Sequence, residues 1–434
     1  MSAESAHSVG RRTLRGMLWA YGSYVGGRVL LLVSTVILAR VLTPEDFGLV
    51  ALALTFMTFL DTVRDLGLGQ ALIVSKPQEL AARAQTVFSW SIAIGAVLSA
   101  LTAAGAPFVA AFFHGGAELT ALIAVLGLNF LLRSLGATHY ALARKELDYR
   151  TRTFAELADV LSRGGVSIAL ALLGFGPWSL VIGYLVGTSS LVVAVWSLVP
   201  FRPRPRFSRA HLRELLTFGG TLTLVDIGSA VAHEMDYLFV GRVLGATDLG
   251  LYTIGFRLPE LLIVNLAIVA GNVLFPAYSL LDPARLRDAF LLSLRYTALV
   301  VLPMAVGLAV LARPVILALF GPKWEPSIEV MQVLAIYAVV VTLNIPAGTV
   351  FKATGKAWIL FALTVPYVIS QFAVLLIFAD RGIVAVAACM AGTQAAWMGI
   401  TWLIASRQLQ VPLRRSLRAI AAPAAAAAGM GAAL

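Results

Sequence analysis

The sequence predicts an all-α polytopic membrane protein: two six-helix lobes in parallel repeat around a central cavity, followed by a partial thirteenth helix. Three observations predict it. The 434 residues are 59% hydrophobic and only 13% charged, with a mean hydropathy of +0.88, about half the charge that an average water-facing domain carries. Apolar runs recur along the whole chain, each near the roughly 20 helical residues that cross a hydrocarbon core about 30 Å thick. One twelve-residue segment also occurs twice, which marks an internal duplication.

The N-terminus is polar through Gly16 and carries Arg11, Arg12 and Arg15. The apolar stretch behind it is too long for a signal-peptide core and lacks a small-residue cleavage site, so it reads as a retained first helix. Twelve spans are expected, at 18–42, 47–61 with a helical continuation, 86–107, 119–135, 154–173, 178–200, 215–240, 249–275, 290–311, 328–351, 358–378 and 383–404. A last apolar run, 419–434, is short and reads as part of a thirteenth helix. The domains that follow are an N-terminal lobe 1–200, a cytoplasmic linker 201–214, a C-terminal lobe 215–410, and a cytoplasmic loop with the incomplete helix at 411–434.

The net charge of +11 would fit a nucleic-acid binder if the basic residues formed one patch. They recur instead in short loops. With the N-terminus in the cytoplasm, twenty-five of the 33 Lys and Arg residues fall in cytoplasmic segments or, for Arg133 and Arg295, toward the inner ends of the adjoining spans, against Arg40, Arg242, Arg313, Lys323 and Arg381 opposite them. That is the bias that orients membrane proteins, so no nucleic-acid partner is expected. The one cysteine, Cys389, lies in an apolar run and supports neither a disulfide nor a thiolate metal site. No nucleotide loop, zinc spacing or nucleophile triad occurs. Glu234-Met235-Asp236 could serve a membrane glycosyltransferase, but every expected outer loop is too short to build that active site. The expectation is a non-enzyme without cofactors.

The duplicated segment reads A-R-V-L-T-P-E-D-F-G-L-V at 39–50 and G-R-V-L-G-A-T-D-L-G-L-Y at 241–252, identical at six of twelve positions. Val199-Pro200-Phe201-Arg202 likewise corresponds to Val411-Pro412-Leu413-Arg414. Six spans separate the copies, so both halves run in the same sense, related by an axis along the membrane normal. Between them, F-R-P-R-P-R-F-S-R from Phe201 has alternating prolines that favour an extended strand. In the first copy Thr43 caps a helix, Pro44 suits its first position, and Glu45 and Asp46 suit its positive end; Thr247-Asp248 is expected to cap the second copy.

The runs I-L-A-R-V-L-T-P-E-D-F-G-L-V-A-L-A-L from Ile37, R-D-L-G-L-G-Q-A-L-I-V at Arg64 to Val74, A-R-K-E-L-D-Y-R at Ala143 to Arg150 and L-F-G-P-K-W at Leu319 to Trp324 resemble the bacterial oligosaccharide flippases. These are the polysaccharide-transport branch of the multidrug/oligosaccharidyl-lipid/polysaccharide exporter superfamily. The resemblance covers essentially the whole chain. It implies a multi-pass protein of the bacterial cytoplasmic (inner) membrane. Its substrate would be a polyprenyl-pyrophosphate-linked oligosaccharide, moved to the outer leaflet by alternating access for lipopolysaccharide or exopolysaccharide synthesis. Membrane lipids, a polysaccharide polymerase and glycosyltransferases are the partners it implies.

Ionisable residues at bilayer depth are costly and normally face a cavity or a partner. Arg28 lies about 16 Å into the first span, near the midplane. Helical spacing places Tyr21, Tyr24 or Val25, Arg28, Leu32 and Thr35 on one face, where a guanidinium could grip phosphate oxygens and tyrosines lie against sugar rings. The competing reading is a purely structural arginine. In the seventh span Asp226 and His233 share a face and could carry a coupling proton, with Glu234 beside them as a gating candidate. Arg257 and Glu260, three apart in the eighth span, could pair on one helix and join the substrate site. Counting from the turn between the two spans, Glu234 and Arg257 lie at equal depth, so an ion pair between them on the outer half of the cavity is expected, with the Arg257–Glu260 pairing as its alternative. Glu156, Asp159 and Arg163 read as structural pairs at the inner interface. A cation-coupled multidrug exporter of the same superfamily is the rival function. It would favour an acidic site in the first lobe, whereas the first span has Arg28 and no carboxylate.

Overall fold

The computed structural model describes residues 26–65, 68–75, 78–146, 148–204, 208, 228, 231–356 and 358–433. Among them every regular element is helical. The chain forms two compact units, Met1–Ala230 and Val231–Leu434.

In the first unit, α1 is described over 26–41 and is followed by α2 (Pro44–Asp65), α3 (Leu68–Val74), α4 (Leu80–Phe112), α5 (Gly116–Leu126), α6 (Leu128–Lys145), α7 (Tyr149–Leu172) and α8 (Pro177–Leu198). The α1–α2 turn is a reciprocal cap. The Asp46 carboxylate accepts from the Thr43 amide and hydroxyl, both at 2.8 Å, while the Asp46 amide donates to Thr43 Oγ1 at 3.2 Å. This satisfies amides that a helix start leaves without partners. Helix α7 begins on Asp148, which accepts from the Thr151 amide at 3.0 Å. Burial alone would raise the Asp148 carboxyl, but bonds from Thr151 and Arg150 and the charge of Arg150 hold it below its ordinary range.

Helices α7 and α8 pack closely because α8 offers glycines to α7. A Cβ on Gly187 would run into the Asp159 carboxylate and the Cβ of Arg163. At the end of α8 the chain stays on this unit. His139 stacks on Trp196 at 4.5 Å with Phe88 and Phe201 edge-on, and its Nε2 lies 3.1 Å from the Phe201 carbonyl. Gln85 then donates to the Arg202 carbonyl at 3.3 Å and accepts from the Arg204 amide at 2.5 Å. The first residues of the proline-alternating stretch are therefore fastened, through residue 204, to α4 and α6.

In the second unit, α9 (231–239) ends in a π-turn at Val240–Leu244. There follow α10 (Ala246–Pro259), a second π-turn (Glu260–Val264), α11 (Asn265–Ser279), α12 (Pro283–Val310), α13 (Ala312–Leu319), a 3-10 turn (Pro322–Trp324), α14 (Ser327–Ala353), α15 (Trp358–Phe378), α16 (Ile383–Leu409) and α17 (Leu413–Ala433). The second copy of the repeat sits at the same helix–turn–helix position as the first. Its cap differs from the expectation: α10 starts on Gly245, at φ 96°, with no side-chain cap from Thr247 or Asp248. Glycine stands where the first copy has Thr43, and it reaches this positive φ without a Cβ penalty.

The core of this unit is built on α14, where Ala335, Ala338, Leu343, Ala347 and Phe351 pack against Phe290 and Leu294 of α12 and Trp402 of α16. By contrast α15 buries little beyond Gln371 and Leu375 and exposes Phe361, Ile369 and Leu376. That pattern suits a helix whose outer face meets lipid tails, where apolar exposure carries no penalty. Among the described residues seven helices are long and apolar enough to span a membrane: Leu80–Phe112, Gly116–Lys145, Pro177–Leu198, Pro283–Val310, Ser327–Ala353, Trp358–Arg381 and Ile383–Leu409. The expected first and seventh spans begin in residues outside the described set.

Candidate functional site

Each unit carries its own polar cluster on helices that are otherwise apolar. In the first unit Arg28 is half-buried on α1; its expected neighbours Tyr21 and Tyr24 lie outside the described residues. Three acids on these helices are each matched to arginine. Asp61 on α2 accepts from Arg64 Nε at 2.6 Å and from Arg133 Nη1 of α6. Glu156 lies 3.6 Å from Arg152 and accepts the Tyr140 hydroxyl. Asp159 accepts from Arg163 Nη2 with both oxygens, at 2.8 and 2.9 Å, and from its Nε at 3.2 Å, with the guanidinium 4.2 Å over the Tyr184 ring. The expected i, i+4 pair is therefore present.

In the second unit α9 and α10 bring together most of the expected residues. Asp236, only 3% exposed, accepts from the Tyr252 hydroxyl at 2.7 Å. The Tyr237 and Tyr252 rings meet edge to face at 5.7 Å. Tyr237 lies within electrostatic reach of Glu260, Asp236, Glu234 and Arg257, and the more exposed His233 lies within reach of Glu260. Tyr337 of α14 and Tyr367 of α15 also lie within electrostatic reach of Asp236. Asp226, the expected partner of His233, lies outside the described residues.

Arg257 pairs with Glu260 at 3.4 Å, the same-helix arrangement of the two expected. A backbone irregularity sets this geometry. Pro259 has no N–H to give the helical ladder, and directly after it the chain widens into the π-turn, where Asn265 Nδ2 donates to the Glu260 carbonyl at 3.0 Å. Such π-turns often occur at functional positions. Arg257→Gln should cut transport about tenfold by leaving acids without their cation, and adding Glu260→Gln should restore part of the loss. Restoration by Glu234→Gln instead would assign the working pair to the α9–α10 hairpin, and additive losses with both would show that Arg257 couples to neither.

Two groups escaped the sequence reading. Asp236 and Tyr252 are 16 residues apart on different helices, and Asp61 and Arg133 are 72 apart. The signal for the second in the sequence is Arg133 itself, an arginine inside an apolar run.

A family model described as polysaccharide biosynthesis protein matches residues 37–329. Succinoglycan biosynthesis transport protein ExoT of Rhizobium meliloti is 29% identical over 356 residues, covering 80% of this chain and 70% of the relative. Lipopolysaccharide biosynthesis protein WzxC of Escherichia coli is 26% identical over 82% of this chain and 73% of its own length. Teichuronic acid biosynthesis protein TuaB of Bacillus subtilis is 24% identical over 82% of this chain and 74% of its own length. Among solved structures, the lipid II flippase MurJ in an inward closed conformation superposes with a TM-score of 0.76 at 14% identity, covering 93% of this chain and 90% of MurJ. An inward-facing MATE multidrug transporter of the MOP superfamily gives 0.71 at 16% identity, covering 88% and 94%. Both likenesses show that the chain shares the fold of these proteins.

Proposed function

Because this chain belongs to the polysaccharide biosynthesis protein family, we propose that it is a flippase moving a polyprenyl-pyrophosphate-linked oligosaccharide from the inner to the outer leaflet for cell-surface polysaccharide synthesis. The relatives named for succinoglycan transport, lipopolysaccharide and teichuronic acid synthesis support this reading. The observation that carries it against a drug exporter is the charge balance of the first unit. Asp61, Glu156 and Asp159 are each held by arginine, and α1 adds Arg28. A cationic drug finds no uncommitted acid among these, whereas a pyrophosphate meets guanidinium groups able to bind it bidentately. In the second unit the half-buried Tyr237 and Tyr367 supply ring faces and hydroxyls suited to sugars, backed by the buried Tyr252 and Tyr337.

The transport cycle is alternating access of the two lobes, in the bacterial inner membrane, with the N-terminus in the cytoplasm. Tags at Pro203 and Pro412 are expected to be shielded from outside reagents and tags at Gly115 and Gly321 to react, as the loop charges require. Outside labelling at Pro203 would reverse the orientation. The function itself is tested in proteoliposomes supplied with lipid-linked oligosaccharide or with a cationic dye. Movement of the glycolipid supports the flippase, and movement of the dye alone overturns it.

A further inference from the structure

In the first unit α6 packs against α3, α4 and α8 and reaches α2 through one ion pair. At the cytoplasmic end of α6 the Lys145 ammonium donates to the carbonyls of Ile73 at 2.7 Å, Ser75 at 2.5 Å and Leu72 at 3.5 Å. Twelve residues earlier on α6, Arg133 meets Asp61 of α2. At the helical rise this second contact lies about 18 Å toward the membrane interior from the first. It is therefore a charged group at membrane depth, far from the loops that hold most of the basic residues.

The contact is open on one side. The Arg133 side chain is 44% exposed and the Asp61 side chain 26%, because α6 packs through Asn129, Phe130, Ser134, Thr138 and His139 and turns Arg133 the other way. Helical spacing sets Tyr140 and Arg144 on that same open face. One carboxylate thus spans two guanidiniums, Oδ1 to Arg64 and Oδ2 to Arg133. A charged group left open at membrane depth belongs on a polar path and not against lipid.

We propose that Asp61 is a built-in occupant of a phosphate site: Arg64 and Arg133 receive the pyrophosphate of the incoming lipid, and Asp61 holds both guanidiniums aligned until that anion displaces it. A carboxylate and a phosphate present similar oxygen pairs to an arginine fork, and the doubly anionic ligand outcompetes the single acid when it arrives with its lipid chain. The inference rests on the flippase reading and extends it to residues outside the Arg28 stripe.

The test is equilibrium binding to the purified full chain in detergent, with farnesyl pyrophosphate, farnesol and inorganic pyrophosphate as probes. Asp61→Asn is expected to tighten farnesyl pyrophosphate binding about tenfold, the equivalent of about 1.4 kcal/mol, and to leave farnesol unchanged. Asp61→Ser, a second variant without the charge, should move the same way. Arg133→Gln should weaken binding about tenfold, with Arg133→Lys between it and the parent protein. Inorganic pyrophosphate binding that follows the same order would identify the site as one for the anion alone; its failure to bind, with farnesyl pyrophosphate still following the order, would identify the lipid-borne anion as the ligand. Parent binding that neither the Asp61 variants nor Arg133→Gln alters overturns the displacement role while leaving the flippase reading intact. Absence of farnesyl pyrophosphate binding to both the parent and Asp61→Asn overturns both.

Discussion

Arg28→Ala is expected to abolish most glycolipid transport, by about tenfold to a hundredfold, with the protein still made and inserted. Hydrogen bonds to a charged group contribute about 1.5–3 kcal/mol each, and a tenfold change corresponds to about 1.4 kcal/mol. Arg28 sits half-buried on α1, and its guanidinium is the proposed contact of the anionic substrate. Arg28→Lys keeps a point charge but loses the planar fork, and should retain an intermediate rate. The readout is flipping in proteoliposomes at matched protein content. Normal transport by the alanine variant would remove Arg28 from the substrate path, and failure of that variant to accumulate would make the residue structural.

Trp324→Ala should produce the largest loss of stability, about 3–5 kcal/mol on the scale of buried aromatic truncations. The side chain is fully buried, as are Phe320 and Ile316. Local sequence places it there. Gly321, at φ 104°, turns the chain out of α13, and Pro322 starts the 3-10 turn that delivers the indole inward. Removing it empties a volume that rigid helix backbones on either side refill only in part. Thermal unfolding in detergent should show a large downward shift, with Trp324→Phe in between. A parental melting curve for the alanine variant would mean that this turn contributes no stability.

Membrane embedding, helical class and duplication were all legible in the residues, because each is a property of local composition or of simple repetition. A run of about 20 apolar residues has one stable way to satisfy its backbone in lipid. The Asp159–Arg163 pair was legible for the same reason, since i, i+4 spacing fixes proximity within one helix. The second turn shows where local reading fails. Thr247-Asp248 resembles the capping pair of the first copy, yet the helix starts at the aligned position, Gly245, where glycine in place of Thr43 has no hydroxyl to cap it.

Helical segments, their place in a membrane and the charges near span centres, Arg28 among them, thus follow from local composition. Which charges meet depends on how the helices pack. Arg133 lies beside Asp61 and Asp236 beside Tyr252 because helix packing fixes two quantities that no single helix encodes: the axial register, at about 1.5 Å per residue, and the rotation, at about 100° per residue. A shift of one residue in register between α2 and α6 would carry Arg133 past Asp61 and turn it away. Contacts along one helix follow from its spacing, whereas contacts between helices wait for the side chains that lock the helices together.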